Sequence, residues 1–273
     1  MSDIERYYDS GIEDARLSIG SGKLELERTR QLMTRFLPAP PSVVYDIGGG
    51  TGVHAFWLAR KGYEVHLLDV VPVHIETALK ASAEGSAGIL AEAVVGDARS
   101  LPWTDGSAEA VLLFGPLYHL TRPDERLSAL REARRVLKPD GVLLAAGISR
   151  FASALDGVRE GYLADPAFAA IVERDLTDGQ HRNPTGKFEY FMETFFHHPD
   201  ELRKEVAAAG FEVDGVLGIE GPGWLARDFD AWWDDPERRE RLLRLADRLE
   251  SEPALAGLSA HLLAAARKSR KKP

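Results

Sequence analysis

Val43-Val44-Tyr45-Asp46-Ile47-Gly48-Gly49-Gly50-Thr51-Gly52 joins an apolar run to a glycine-rich turn, and His54 to Lys61 then follow helical periodicity. The apolar run ending in an acid reads as a buried parallel strand. The glycines permit positive φ and close approach of backbone to a ligand. A strand, a glycine turn and a helix in that order make a cofactor loop. A carboxylate at Asp46 repels a dinucleotide pyrophosphate, which needs a bare helix N-terminus, and attracts an ammonium or sulfonium group.

Outward from this loop, Val65-His66-Leu67-Leu68-Asp69 reads as a second strand ending in an acid. A spacing of about 20 residues suits a carboxylate that accepts both hydroxyls of a ribose, whichever nucleoside is bound. Gly50-Thr51-Gly52-Val53-His54-Ala55 also fits the dinucleotide fingerprint G-x-G-x-x-A, so a nicotinamide-dependent oxidoreductase shares the turn and the ribose acid. The charge of Asp46 favours S-adenosylmethionine over NAD as the cofactor.

Strand-like runs alternate with helical segments from Val43 to about Gly147, which implies βαβ units and a parallel sheet with right-handed crossovers. The expected strands are Val43 to Ile47, Glu64 to Asp69, Ala91 to Val95, Ala110 to Phe114 and Gly141 to Ala146. Pro72 and Pro123 are placed to start helices. Lys138-Pro139-Asp140-Gly141 is expected to stop the second of these and turn the chain into the fifth strand.

The chain has 273 residues, of which 44% are hydrophobic and 28% charged, enough to bury a full core. A net charge of -9 opposes a nucleic-acid partner, which calls for clustered Lys and Arg, and the one basic run lies at Arg267 to Lys272. With no cysteine, there is neither a disulfide framework nor a thiolate nucleophile or zinc site. No stretch approaches the roughly 20 apolar residues of a membrane span, and residues 1–5 lack the marks of a signal peptide. A cytoplasmic enzyme with no membrane partner is expected.

Four motifs in order resemble the class I S-adenosylmethionine-dependent methyltransferases, in particular their small-molecule branch. They are Asp46 to Gly52, Asp69, Gly96-Asp97-Ala98-Arg99-Ser100-Leu101-Pro102-Trp103, and Arg134-Arg135-Val136-Leu137-Lys138-Pro139-Asp140-Gly141. The resemblance implies an α/β, Rossmann-like three-layer sandwich with a seven-stranded, mostly parallel sheet of order 3-2-1-4-5-7-6 and helical cap insertions. It implies a cofactor site of Asp46, Gly48, Gly50, Gly52, Asp69, Val70, Asp97, Ala98 and Gly115, with S-adenosylhomocysteine as the product. Phe211 to Ile219 and Ser259 to Ala265 are the expected final antiparallel pair. Relatives often carry an aspartate entering strand four, where this chain reads Ser107-Ala108-Glu109-Ala110, which leaves that strand's register open.

Ligands of open α/β sheets bind beyond the carboxyl ends of the strands, so Gly115 to Leu120 should face the reacting methyl. His119 is the candidate general base because imidazole titrates close to operating pH; orienting the substrate or capping the turn is the competing role. Tyr118 is a candidate catalytic neighbour or pocket wall. In residues 1–42, expected as a helical cover, Tyr8 and Arg16 are candidates for the methionine carboxylate, with Arg16 alternatively pairing with Glu13.

Residues 43–147 are expected as the cofactor core and 148–200 as a lid. Residues 201–273 should complete the sheet, with a helical insertion at about 221–257. His181, Tyr190 and Trp224 are the candidate substrate contacts, whereas Phe195 and Phe196 read as core. Trp232 and Trp233 read as helix anchors, and His197-His198 lacks the spacing of a metal site. The expected activity is in-line methyl transfer to a small molecule. A methyltransferase acting on RNA or protein and a non-catalytic binding module are the remaining alternatives.

Overall fold

A computed structural model describes residues 16–85 and 87–269, which fall into two compact units. The core unit comprises the described residues of 33–146, 203–215 and 264–269. Five strands open it: β1 (Val43–Ile47), β2 (Glu64–Asp69), β3 (Glu92–Val95), β4 (Ala108–Leu113) and β5 (Leu137–Ser149). They are parallel, with Asp46 of β1 opposite Leu67 of β2 on one side and Leu112 of β4 on the other. Apolar runs buried on both faces explain this, since Val44, Leu67 and Val111 to Leu113 are sealed from solvent.

Helices α1 (Gly22–Phe36), α2 (Val53–Arg60), α3 (Pro72–Glu84), α4 (Pro116–His119) and α5 (Pro123–Val136) come next in the same numbering. As expected, Pro72 and Pro123 open α3 and α5 at positions where a missing N–H costs nothing. The chain proceeds outward from β1 through β2 to β3, then returns to place β4 on the other side of β1. This reversal of direction creates a switch point at the carboxyl ends of β1 and β4, where such sheets bind ligands.

Two local expectations are corrected. Strand β4 starts earlier than expected, at Ala108, and its Glu109 accepts a hydrogen bond from the Val43 N–H at 2.8 Å while pairing with Lys138. This ties the starts of β1, β4 and β5 together and settles the register. Lys138 to Gly141 does not separate helix from strand. It lies within β5 as an irregularity, where Asp140 adopts φ 64° and the β4 register jumps between Ala108 and Ala110. The Asp140 N–H donates to the Lys268 carbonyl, which anchors the irregular stretch.

The expected final pair is β8 (Glu212–Gly218) and β9 (His261–Arg267), with β9 bonded to both β5 and β8. Ile219 bonds to His261 and Asp214 meets Arg267, so β8 and β9 run antiparallel. With these as strands six and seven, the order is 3-2-1-4-5-7-6, as expected. Two further short strands were not anticipated: β7 (Thr194–His197) pairs with Ile148 and Ser149 of β5, and β6 (Gln180–His181) pairs with β7.

The second unit comprises residues 16–32, 147–202 and 216–263. It contains α6 (Ala152–Glu160), α7 (Pro166–Asp178), the start of α8 (Pro199–Ala208), α9 (Phe229–Trp233) and α10 (Pro236–Leu249). Asp165 caps α7 by accepting from the Ala167 N–H, and Asp235 caps α10 by accepting from the Glu237 and Arg238 N–H groups. Phe168, Ile171, Val172 and Tyr190 form one apolar cluster, and Leu24, Phe229 and Leu242 another. Phe195 and Phe196 are buried, as expected. Trp233 stacks on Phe229 as an anchor, whereas its neighbour Trp232 is 37% exposed and is not one. The stretch expected as a lid, 148–200, falls within this unit. No described helix is long and apolar enough to cross a membrane.

Candidate active site

The glycine loop takes its shape from two close approaches. Gly48 sits at φ 72°, and a Cβ there would lie 2.6 Å from Pro116 Cδ. A Cβ on Gly115 would lie 2.9 Å from the Gly48 carbonyl, so the loops after β1 and β4 pack backbone to backbone. Gly50 is different. It also has positive φ, yet nothing lies within 4 Å of where its Cβ would point, which leaves open space beside the backbone.

Beneath the loop lies Asp46, fully buried, with neither carboxylate oxygen meeting a hydrogen-bond donor at normal geometry among the described residues. Burial, reinforced by the negative charge of Asp69 and opposed weakly by the Ala55 N–H, pushes this carboxyl up to about 7. Near neutral pH it is thus poised between its acid and its anion. An incoming cation tips it to the anion.

Asp69 is held by donors from three directions. Its Oδ2 accepts the Gly50 N–H at 2.9 Å. Its Oδ1 accepts the Val71 N–H at 2.9 Å and faces His74 Nδ1 at 3.1 Å. Val70, the next residue along the chain, is 57% exposed, an apolar side chain left in the open at the end of a buried strand. The Gly96 N–H donates to the Asp69 carbonyl and brings the end of β3 alongside. There the Asp97 carboxylate is engaged by the Arg99 backbone and guanidinium, which hold it below the ordinary carboxylate range, and Arg99 also reaches Glu125 at 2.5 Å. Ala98 beside it is buried.

Tyr118 and His119 end the one-turn helix α4, their rings 4.7 Å apart. Burial pulls the His119 imidazole down to about 4, against a smaller upward pull from Asp69. The expectation that this ring titrates near operating pH is not met. It is neutral throughout the physiological range. Arg126, buried on α5, donates to the carbonyls of Leu120 and Thr121 and pairs with Glu205 at 2.6 Å, which fixes the loop that follows His119.

The core unit thus gathers Asp46, Gly48, Gly50, Gly52, Asp69, Val70, Asp97, Ala98, Gly115, Tyr118 and His119. The other candidates belong to the second unit, except Tyr8, which lies outside the described residues. His181 is 1% exposed with both ring nitrogens committed, to Asp175 and to the Tyr190 carbonyl at 2.8 Å each, and it stacks on Phe196. The Tyr190 ring is core and its hydroxyl donates to Asp165. Trp224 is buried, with its indole N–H on the Leu258 carbonyl. All three are buried and hydrogen-bonded within their own unit.

Arg16 makes a two-armed pair with Glu25. Glu25, Glu220 and His261 bring ligand-type atoms within 4.8 Å of one another. Arg16, Ser259 and His261 already occupy the carboxylate oxygens, which makes this a saturated ionic network. Although burial lowers the His261 imidazole, the Glu25 and Glu220 carboxylates outweigh it and raise the ring above its ordinary value.

Sequence reasoning missed His74. The available signal was its place in the first turn of a helix that follows an acid-ended strand, since helical side chains lean toward the N-terminus and so back over the strand end. Arg99, two residues beyond Asp97, was likewise visible but not read as its partner.

A methyltransferase domain model matches residues 44–141. The ubiquinone/menaquinone biosynthesis C-methyltransferase of Ruegeria sp. is 30% identical over 188 residues, 66% of this chain and 70% of that protein. Among solved structures, an S-adenosylmethionine-dependent methyltransferase from Methanosarcina mazei superposes with a TM-score of 0.59 at 22% identity, covering 88% of this chain and 98% of the other. A Mesorhizobium loti methyltransferase superposes at 0.60 and 17% identity, covering 89% and 99%. The chain belongs to the class I S-adenosylmethionine-dependent methyltransferases.

Proposed function

We propose that the chain binds S-adenosylmethionine at the carboxyl ends of β1, β2 and β4 and methylates a small-molecule acceptor. The observation that carries this reading is Asp46, a buried carboxylate that meets no hydrogen-bond donor at normal geometry among the described residues, beneath a loop with open backbone at Gly50. A buried acid in that state wants a cation with N–H groups, and the amino-acid end of this cofactor is one. A dinucleotide brings the opposite charge.

In this reading Asp46 receives the ammonium, Asp69 accepts from the ribose, Val70 gives an apolar surface to the base, and Asp97 and Ala98 flank the adenine. Gly48, Gly52 and Gly115 keep the loops thin enough for the methionine portion. When bound, the cofactor supplies an electrophilic methyl on sulfonium. The chain's own task is then to hold the acceptor in line at near-attack distance and keep water out, an arrangement that can supply about 7 to 11 kcal/mol. His119 is a neutral imidazole and a weak base, so it orients the acceptor by accepting a hydrogen bond and does not deprotonate it ahead of transfer. An acceptor that is nucleophilic before losing a proton, such as an electron-rich ring carbon, fits that environment. The relative's name, a C-methyltransferase of quinone biosynthesis, supports the same class. The net charge of -9 argues against RNA.

Calorimetric titration with S-adenosylhomocysteine and with NAD is the first test, followed by transfer of labelled methyl into a metabolite extract with RNA and protein fractions counted separately. Binding of the first ligand alone and label in small molecules are expected. Binding of NAD alone sinks the cofactor assignment, and label confined to macromolecules sinks the acceptor class.

A further inference from the structure

We infer that His74 is a positioning residue for ribose recognition, acting through Asp69. The inference rests on the reading that Asp69 meets the cofactor ribose. His74 is 6% exposed in the first turn of α3, with Nδ1 3.1 Å from Asp69 Oδ1. That oxygen already accepts the Val71 N–H, and Oδ2 accepts the Gly50 N–H. A carboxylate offers about four acceptor positions. Three are taken, by donors from the glycine loop, from the turn after β2 and from α3.

This arrangement fixes both the rotamer and the plane of the carboxylate. Two backbone donors alone leave rotation about the Cβ–Cγ bond, a broad torsion, less restricted. The imidazole closes that freedom from a third direction and, by facing an acceptor oxygen, carries its hydrogen on Nδ1. The result is a carboxylate with a single strong acceptor direction left, aimed before any ligand arrives. Fixing an acceptor in advance removes the cost of ordering it during binding, and the benefit goes to a ligand hydroxyl that lies in that direction.

His74 therefore sets how strongly the site distinguishes a ribose from a deoxyribose, while touching neither the cofactor nor the acceptor. A residue that only filled space would affect all nucleosides alike.

The test is calorimetric binding of S-adenosylhomocysteine and its 2′-deoxy and 3′-deoxy analogues to the wild-type protein and to His74→Leu, His74→Asn and His74→Gln. Asparagine places an N–H near the position of Nδ1; glutamine places it farther out. The wild-type protein is expected to lose roughly tenfold or more in affinity for one of the two deoxy analogues, the scale of one hydrogen bond to a charged group. His74→Leu and His74→Gln should compress that ratio to about threefold or less, and His74→Asn should restore most of it. An unchanged ratio in the leucine and glutamine variants, or equal weakening of all three ligands, overturns the inference. If leucine at this position does not fold, the asparagine and glutamine pair decides. A wild-type protein that binds S-adenosylhomocysteine and ignores both hydroxyls overturns instead the assignment of Asp69 to the ribose.

Discussion

Asp46 titrates in the wrong place for an ordinary aspartate, and the sign of the effect can be worked through. Its folded value, about 7, lies above the ordinary 3.8, so between these values the folded state holds a proton that the unfolded state has released. Stability from this group is greatest below about pH 4, falls by up to about 1.4 kcal/mol per unit as pH rises toward 7, and is flat above. Ligand affinity runs the other way, because a cation selects the ionised form. Affinity for S-adenosylhomocysteine should rise up to tenfold per unit between pH 5 and about 7, then level off. Melting curves and titrations across pH 5 to 8 check both slopes, and Asp46→Asn should abolish both. A pH-independent affinity in the wild-type protein would remove Asp46 from the binding site.

How much of the site could be read in advance follows the reach of each interaction. The places of Asp46, Gly48, Asp69 and Gly115 at strand ends and tight turns were legible because such features are specified by neighbours in sequence. The partners of His181, Tyr190 and Trp224 were not, because only tertiary packing decides what a buried polar aromatic bonds to. His181 is committed to Asp175 and to the Tyr190 carbonyl by α7 and β6 folding together. No local pattern announces that. His119 was correctly located after β4, but its titration depends on burial that the sequence does not display.

At the scale of elements, the glycine loop illustrates two distinct demands on one residue type. Gly48 needs both positive φ and room beside Pro116, whereas Gly50 needs only the φ. An L side chain in the left-handed region costs about 1 to 2 kcal/mol, to which Gly48→Ala adds a clash with the start of α4. Gly48→Ala should accordingly lower the melting temperature more than Gly50→Ala, by several degrees on a scale of about 2 to 4 °C per kcal/mol. Gly50→Ala should show the larger loss in S-adenosylhomocysteine affinity relative to its stability cost, since its methyl projects into the open region. Equal melting temperatures in the two variants would contradict the packing of the β1 and β4 loops. Strand β5 shows what pattern reading misses at this scale. Lys138 to Gly141 has turn composition, yet Glu109 and Lys268 bind its two sides and hold it in the sheet.

For the whole molecule, the division into units decides which parts can be removed. The segment 148–200 supplies Phe168, Ile171, Val172 and Tyr190 to one apolar cluster and β7 to the end of β5. Burying four such side chains is worth about 1.5 to 3 kcal/mol each, comparable with the total stability of a domain. Deleting the segment should therefore yield insoluble or unfolded protein, measurable by circular dichroism. A folded deletion variant that still binds cofactor would restore the idea of a detachable lid.

The chain crosses from one unit to the other at residues 32/33, 146/147, 202/203, 215/216 and 263/264. Neither unit is thus complete in any uninterrupted stretch, and the order of synthesis matters. On the ribosome, β5 is finished at residue 149, but its partner β9 begins only at residue 261. Apart from the end of β5 that β7 covers, this edge of the sheet must wait, unpaired and apolar, while the intervening chain is made. Nascent chains of this protein have reason to engage chaperones at mid-length, and refolding from denaturant should be slow and sensitive to concentration.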